Sequence, residues 1–284
     1  MDDLSELMRH MRLQTRVFHR STHCGQWVVE GEYERKAMFH LVAVGRCVLR
    51  TDDGAGDVVL QAGDAVLFTS PRDHRLISPL DANDSDASLL LCGYFEFDSP
   101  LSSVLLASLP AQLLLRHGPS RERKASGAPA ALLQLIIAEA ELGGSGSAVL
   151  LDKLADALFM YAVRQCLVDG TVQRGLLKAL SDPYVGPVLT VMHQQPQQPW
   201  SVASLAARIH LSRAAFARRF AEAVGIGPLA YLTQLRMQLA KVALAERGIS
   251  VAEASVLAGY ATEAAFSRAF KRVYGCPPGA VRSV

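Results

Sequence analysis

The sequence predicts an α+β chain in three parts. A strand-built N-terminal domain, read as a sandwich or small barrel, is followed by a helical linker and an all-helical C-terminal domain with two helix-turn-helix units. Three observations predict this. Short apolar runs separated by turn signals fill residues 15 to 97, apolar residues at helical spacing replace them from residue 101 onward, and one phrase, AAFARRF at Ala214–Phe220, returns as AAFSRAF at Ala264–Phe270. The implied domains are 1–118, 119–180 and 181–284 of the 284 residues, a length suited to two cores.

The strand candidates are WVV, FHLVAV, CVLR, VVL, AVLFT and LLLCGYFEF, punctuated by TDDGAGD, QAGD, SPRD and DANDSD. Many short strands at regular spacing point to a sandwich or barrel. The middle stretches APAALLQLIIAEAEL and AVLLDKLADALFMYAVRQCLV carry helical spacing, with Leu151, Leu154, Leu158, Tyr161 and Gln165 expected on one face. GGSGS at Gly143–Ser147 lies between them. No Lys-Ser/Thr follows it, so it reads as a hinge and not as a phosphate loop.

Composition narrows the function classes. Half the residues are apolar and 20% are charged, as in an ordinary soluble globular protein. The first residues, MDDLSELMRHMRL, are acidic and lack an apolar segment, and the longest apolar runs are short and broken by proline. The expectation is a cytoplasmic protein with no secretory signal and no membrane span. Cys24, Cys47, Cys92, Cys166 and Cys276 form no CxxC pair, so free thiols are expected. From residue 181 to the end there are 11 Lys+Arg against 5 Asp+Glu, whereas the remainder holds 18 against 22. The basic part is the candidate for a phosphate backbone.

On a helix, Phe216, Phe220 and Val224 fall on one stripe of the first phrase, and Phe266, Phe270 and Tyr274 on the same stripe of the second. The opposite faces carry Ala214, Ala217, Arg218 and Ala221, then Ala264, Ser267, Arg268 and Lys271. Small residues around an arginine let a helix enter the major groove and bring a guanidinium to a guanine edge. Upstream, Ser201 and Ser250 are N-cap candidates, the latter in a capping box with Glu253, and Ser212 and Thr262 are placed to cap the phrase helices. Each unit is thus a short capped helix, a tight turn and the phrase helix, which is helix-turn-helix twice. PLAYLTQLRMQLAKVALAERG joins them as a long helix with Leu232, Leu235, Leu239 and Val242 at helical spacing.

These residues, with Gly259-Tyr260 before the second phrase and Gly275-x-x-Pro278 after it, resemble the DNA-binding domain of the AraC/XylS family of transcription regulators over about a hundred residues. The resemblance implies a sequence-specific regulator reading two successive major-groove segments of double-stranded DNA. Base-reading positions then fall on Ala214, Ala217 and Arg218, and on Glu263, Ala264, Ser267 and Arg268. Ser212 and Arg213 join the interface of the first unit. Arg213, Arg219, Lys271 and Arg272 are expected to touch phosphate, which positions without specifying. Activation, contact with RNA polymerase and a homodimer are further expectations.

In the N-terminal part, LQAGDAVLFTSPRDHRL and MFHLVAVG resemble the two motifs of cupin barrels, which implies a cupin-like β-barrel sensor. The His-x-His of metal-dependent cupin oxygenases is absent, so no enzyme is expected. Cys24, His40, His74 and Cys92 are the sensor candidates. Two thiolates and two imidazoles converging tetrahedrally would suit Zn²⁺; equally, buried cysteines serve as small core residues. MDDLSELM, Cys24 followed by Trp27, HRLISP and LLCGYFEF resemble the reactive-chlorine-responsive branch of the family. That implies oxidant sensing, by hypochlorous acid or a similar species, at Cys24 and Cys92. The alternatives are a small organic ligand in the barrel and, more weakly, a metal-dependent cupin enzyme.

Overall fold

The computed structural model describes residues 3–30, 36–52, 56–116 and 127–283. The centre of the TDDGAGD turn and the expected boundary at 118–119 lie outside the described residues. The chain forms two compact units, one of Leu13–Glu96 with Pro110–Thr171, the other of Met1–Arg12, Phe97–Leu109 and Val172–Val284. We call them the sheet unit and the reader unit. This grouping differs from the sequence boundaries: helix α1 (Asp3–Met11) and helix α2 (Ser102–Leu106) go with the C-terminal helices, and residues 127–168 go with the strands.

The strands of the sheet unit are β1 (Leu13–Cys24), β2 (Val28–Glu30), β3 (Ala37–Val44), β4 (Arg46–Thr51), β5 (Val58–Gln61), β6 (Ala65–Phe68), β7 (His74–Ile77), β8 (Ala87–Phe97) and β9 (Gln112–Leu115). Among the described residues their hydrogen bonding makes two sheets, β1-β8-β3-β6-β9 and β2-β7-β4-β5, where a sandwich or small barrel was expected. Every residue of β3 but the last is buried. It sits mid-sheet, antiparallel to β6 and β8, which explains why FHLVAV lacks polar alternation. Met38, Val42, Phe68 and Leu90 of the first sheet and Leu49, Leu60 and Leu76 of the second form one packed core.

Helices α3 (Gly127–Leu142) and α4 (Ser147–Val168) complete this unit. Strand β1 is an edge strand, and its unpaired N–H groups need acceptors. Asp156 accepts from the Thr15 N–H and Asp152 from the Val17 N–H, both at 2.8 Å. One turn of α4 thereby covers the edge. The buried face of α4 is Leu151, Ala155, Leu158, Phe159, Ala162, Val163 and Cys166. Leu154, Tyr161 and Gln165, expected on that face, are only half-buried, because the helix is pinned to β1 through its aspartates as well as its apolar residues.

The reader unit continues with α5 (Leu176–Ala179), α6 (Val185–Gln194), α7 (Val202–Arg208), α8 (Arg213–Val224), α9 (Pro228–Glu246), α10 (Val251–Leu257), α11 (Glu263–Tyr274) and a 3₁₀ turn at Pro278–Ser283. Long helix α9 is buried on two sides. Tyr231 meets Phe220 of α8, ring centroids 5.9 Å apart. Met237, Ala240 and Leu244 pack with Ala254, Phe266 and Phe270 of the second unit. Two seams displace the single stripe expected from sequence, and Leu239 and Val242 are left half-buried between them.

Candidate nucleic-acid interface and sensor cluster

The four predicted caps form. Ser201 and Ser250 each accept from the backbone N–H three residues on and close capping boxes with Ser204 and Glu253. Ser212 and Thr262 accept from the N–H of Ala215 and Ala265, both at 3.2 Å. These contacts fix where α8 and α11 begin, and so which residues face outward.

The turns between the paired helices share one device. Leu211 N–H bonds the Ala206 carbonyl and Tyr260 N–H the Ser255 carbonyl, each a six-to-one closure whose preceding residue is left-handed. That residue is Gly259 (φ 72°) in the second unit and His210 (φ 55°) in the first. A Cβ on Gly259 would also lie 2.6 Å from the Gln197 carbonyl oxygen.

Behind each phrase helix Phe216, Phe220, Phe266 and Phe270 have no exposed surface. On the outward side Ser212, Arg213, Ala214 and Arg218 are exposed, as are Glu263, Ala264, Arg268 and Lys271, with Ala217 and Ser267 half-exposed. Arg218 reaches only Glu222, at 3.9 Å with both side chains in solvent, a contact too weak to hold it.

Arg219 faces elsewhere. It pairs with Asp182 at 3.0 Å and lies 4.2 Å over the Tyr184 ring. The same Asp182 accepts from the N–H groups of Tyr184 and Val185, capping α6. The expected phosphate contact is therefore a fastener between α8 and the start of α6. Asp182 was missed in the sequence, although Asp-Pro ahead of an apolar periodic run is an N-cap signal.

In the sheet unit, the register sets His40 opposite Cys92, and the side chains converge. His40 Nδ1 is 2.9 Å from Cys92 Sγ, and His40 Nε2 is 2.7 Å from His74 Nε2. His74 Nδ1 is 2.7 Å from the Arg72 carbonyl oxygen. A carbonyl only accepts, so His74 Nδ1 carries hydrogen. Burial lowers the pKa of both imidazoles, His40 to about 3, so each ring is neutral with one hydrogen. The direction of every bond follows. His74 Nε2 accepts from His40 Nε2–H, and His40 Nδ1 accepts from the Cys92 thiol. Burial, then the neighbouring Cys47, pushes Cys92 up to about 12, which keeps the thiol hydrogen in place. Phe68 stacks on His74 at 4.3 Å and closes the chain off.

Three of the four expected sensor residues are thus together. Cys24 is exposed at the end of β1. As placed, the set does not fit one tetrahedral ion. The two nitrogens of an imidazole point apart, and Cys92 and His74 hold opposite nitrogens of His40. Among the described residues no group of three His, Cys, Asp or Glu is arranged to hold a metal.

Comparison with known proteins agrees with both halves. Residues 2–168 match a cupin family model, and residues 205–283 match a helix-turn-helix domain model. A putative AraC-like transcription regulator of Streptomyces lividans is 32% identical over 99% of this chain and 98% of that protein. One from Streptomyces antibioticus is 30% identical over the same shares. The chain belongs to the AraC-like transcription regulators with an N-terminal cupin domain. It is a DNA-binding transcriptional regulator. Within that family it is similar to the RCS-specific HTH-type transcriptional activator RclR of Escherichia coli (strain K12), 30% identical over 78% of this chain and 76% of that protein. Among the described residues no helix is long and apolar enough to cross a membrane.

Proposed function

We propose that this regulator reads DNA through the outward faces of α8 and α11 and answers an oxidant through Cys92. Hypochlorous acid is the oxidant class that the name of the RclR relative suggests. The observation that carries the sensor reading is the 2.9 Å contact between Cys92 and His40 in a buried chain with fixed bond directions. When hypochlorous acid meets the thiol, two electrons leave sulfur for chlorine. The products are a sulfenyl chloride and water. The sulfur then has no hydrogen to donate, and His40 Nδ1 loses its partner in a site where Cys92 has no exposed surface. A buried imidazole left unsatisfied, beside a sulfur that has gained an atom, must move. Burial slows the thiol, so exposed Cys24 is assigned the role of entry thiol: it meets the oxidant first, and its sulfenyl chloride condenses with the Cys92 thiol to a disulfide, releasing chloride and a proton.

Replacing cysteines one at a time separates these roles. Cys92→Ser should abolish oxidant-dependent transcription from a promoter that the regulator controls, while Cys24→Ser should slow the response. An undiminished response in Cys92→Ser would remove Cys92 from the mechanism. Activation through RNA polymerase and homodimer formation remain part of this proposal. The exposed Leu135, Leu142 and Val149 of α3 and α4 are the apolar surface that favours a dimer, to be checked by sedimentation.

A second reading has its own observation. The interior between the sheets is filled by core side chains, but an open cleft of about 670 Å³ is lined by Trp27, Val44, Gly45, Arg46, Pro79 and Ser88 among others. Its size suits a small organic ligand. Ligand-dependent quenching of Trp27 in a Trp200→Phe background would favour this reading.

A further inference from the structure

The first helix of the chain is amphipathic, and its apolar side is closed. Leu7 and Met11 have no exposed surface and Met8 is 8% exposed. Helix α1 packs on α6 and α9, inside the reader unit. Polar contacts mark its two ends. Asp3 accepts from the Thr190 hydroxyl of α6 at 3.2 Å, and Arg12, just past the helix, pairs with Glu246 of α9. Arg12 is one of two non-glycine residues among those described with a left-handed backbone, φ 48°. The chain runs straight on from it into β1.

Between these ends sits an unusual polar group. The His10 ring of α1 lies 5.7 Å from the His193 ring of α6. His193 Nε2 is 2.6 Å from the Tyr231 hydroxyl of α9. The other nitrogen of His193, Nδ1, is buried with no hydrogen-bond partner, and so is His10 Nε2. The charged and titratable groups facing this pair are Arg9 from α1 itself, His193 from α6 and Tyr231 from α9. None is an anion at neutral pH. Asp3 and Glu246 are engaged at the ends of the contact, and Glu6, one turn before His10, is the remaining carboxylate of α1.

We propose that α1 is a proton-sensitive latch on the reader unit, seated on α6 and α9 at neutral pH and released when His10 and His193 take up protons. The packing sets two neutral imidazoles next to each other, their planes tilted by 57°. A proton on either places a cation in a site that burial already disfavours, beside a second imidazole and Arg9. Burial and the neighbouring cation already hold His10 below its ordinary value, and burial with His10 lowers His193 to about 3. The linkage follows from that sign. A histidine buried neutral supports the docked state fully above its free pKa, near 6.5, and less at each step below it. Docked α1 holds the end of α9 that precedes the second helix-turn-helix unit, and its own C-terminus is the start of β1. Its release therefore frees both chain segments at once.

Hydrogen exchange on the full-length protein tests this. Protection factors for residues 3–11 are compared at about pH 7.5 and about pH 5.0, an interval that spans the free histidine value. Protonation of the pair should lower α1 protection several-fold across that interval, while the Phe266–Phe270 core keeps its protection. The His10→Gln/His193→Gln pair should leave α1 equally protected at both values. Should the pair fail to dock, His10→Gln alone, on a half-buried side chain, should visibly shrink the pH effect. Protection of α1 in the parent protein that does not change with pH would overturn the proposal. So would a loss that survives undiminished in the variants.

Discussion

At residue 219 a basic side chain on the first phrase helix turns out to hold the protein together. Arg219 and Arg218 are neighbours in the sequence, but a helix turns 100° per residue. Arg218 is left in solvent, while Arg219 is directed at Asp182 and Tyr184. The two should therefore fail differently. Arg219→Ala or Asp182→Ala should cost about 1–3 kcal/mol of stability, from a charge-assisted bond and, for Asp182, a helix cap. That loss is read by denaturant unfolding, with binding to specific and random DNA unchanged once the variants are fully folded. Cys92, His40 and His74 make a similar point. Their chemical types marked them in the sequence, but only the strand register and the facing of two sheets show that they form a chain of hydrogen bonds. The same facts leave Cys24 in solvent.

The helices carried most of their signals locally. Caps are contacts between residues three apart, so Ser201, Ser212, Ser250 and Thr262 could be recognised before any tertiary contact was known. The left-handed turn residue was visible at Gly259 but hidden at His210, because nothing in the residue type announces the conformation. This yields an asymmetric prediction. His210→Gly should be neutral or stabilise by up to about 1 kcal/mol, since it relieves a left-handed backbone. Gly259→Ala should destabilise by more than about 1 kcal/mol, because the added methyl meets both the conformation and the Gln197 carbonyl. Thermal unfolding of the pair of variants checks the sign of each. For α9, periodicity named the helix but could not say how many neighbours it serves; two separate clusters claim adjacent faces.

On the scale of the molecule, the duplicated unit implies a divided operator. If α8 and α11 read separate groove segments, Arg218→Ala and Arg268→Ala should each cost about 1–3 kcal/mol of specific binding. Each loss should relax sequence preference in one segment only, and the two should add. Competition binding against operators randomised in one segment at a time measures this. A loss equal on specific and random DNA would reduce the arginines to phosphate contacts.

What the sequence determined alone was whatever depends on near neighbours: the repeated phrase, its caps and glycine stops, the strand-then-helix order and the charge imbalance between the two parts. Tertiary structure alone decided which distant residues meet. It tied Arg219 to the α6 cap, set α4 against the edge of β1, enclosed His40 between Cys92 and His74, and placed the first helix beside α6 and α9. The physical reason is range. Backbone geometry and capping act over three or four residues, whereas burial, desolvation and the pairing of orphaned polar groups depend on surfaces brought together from anywhere in the chain.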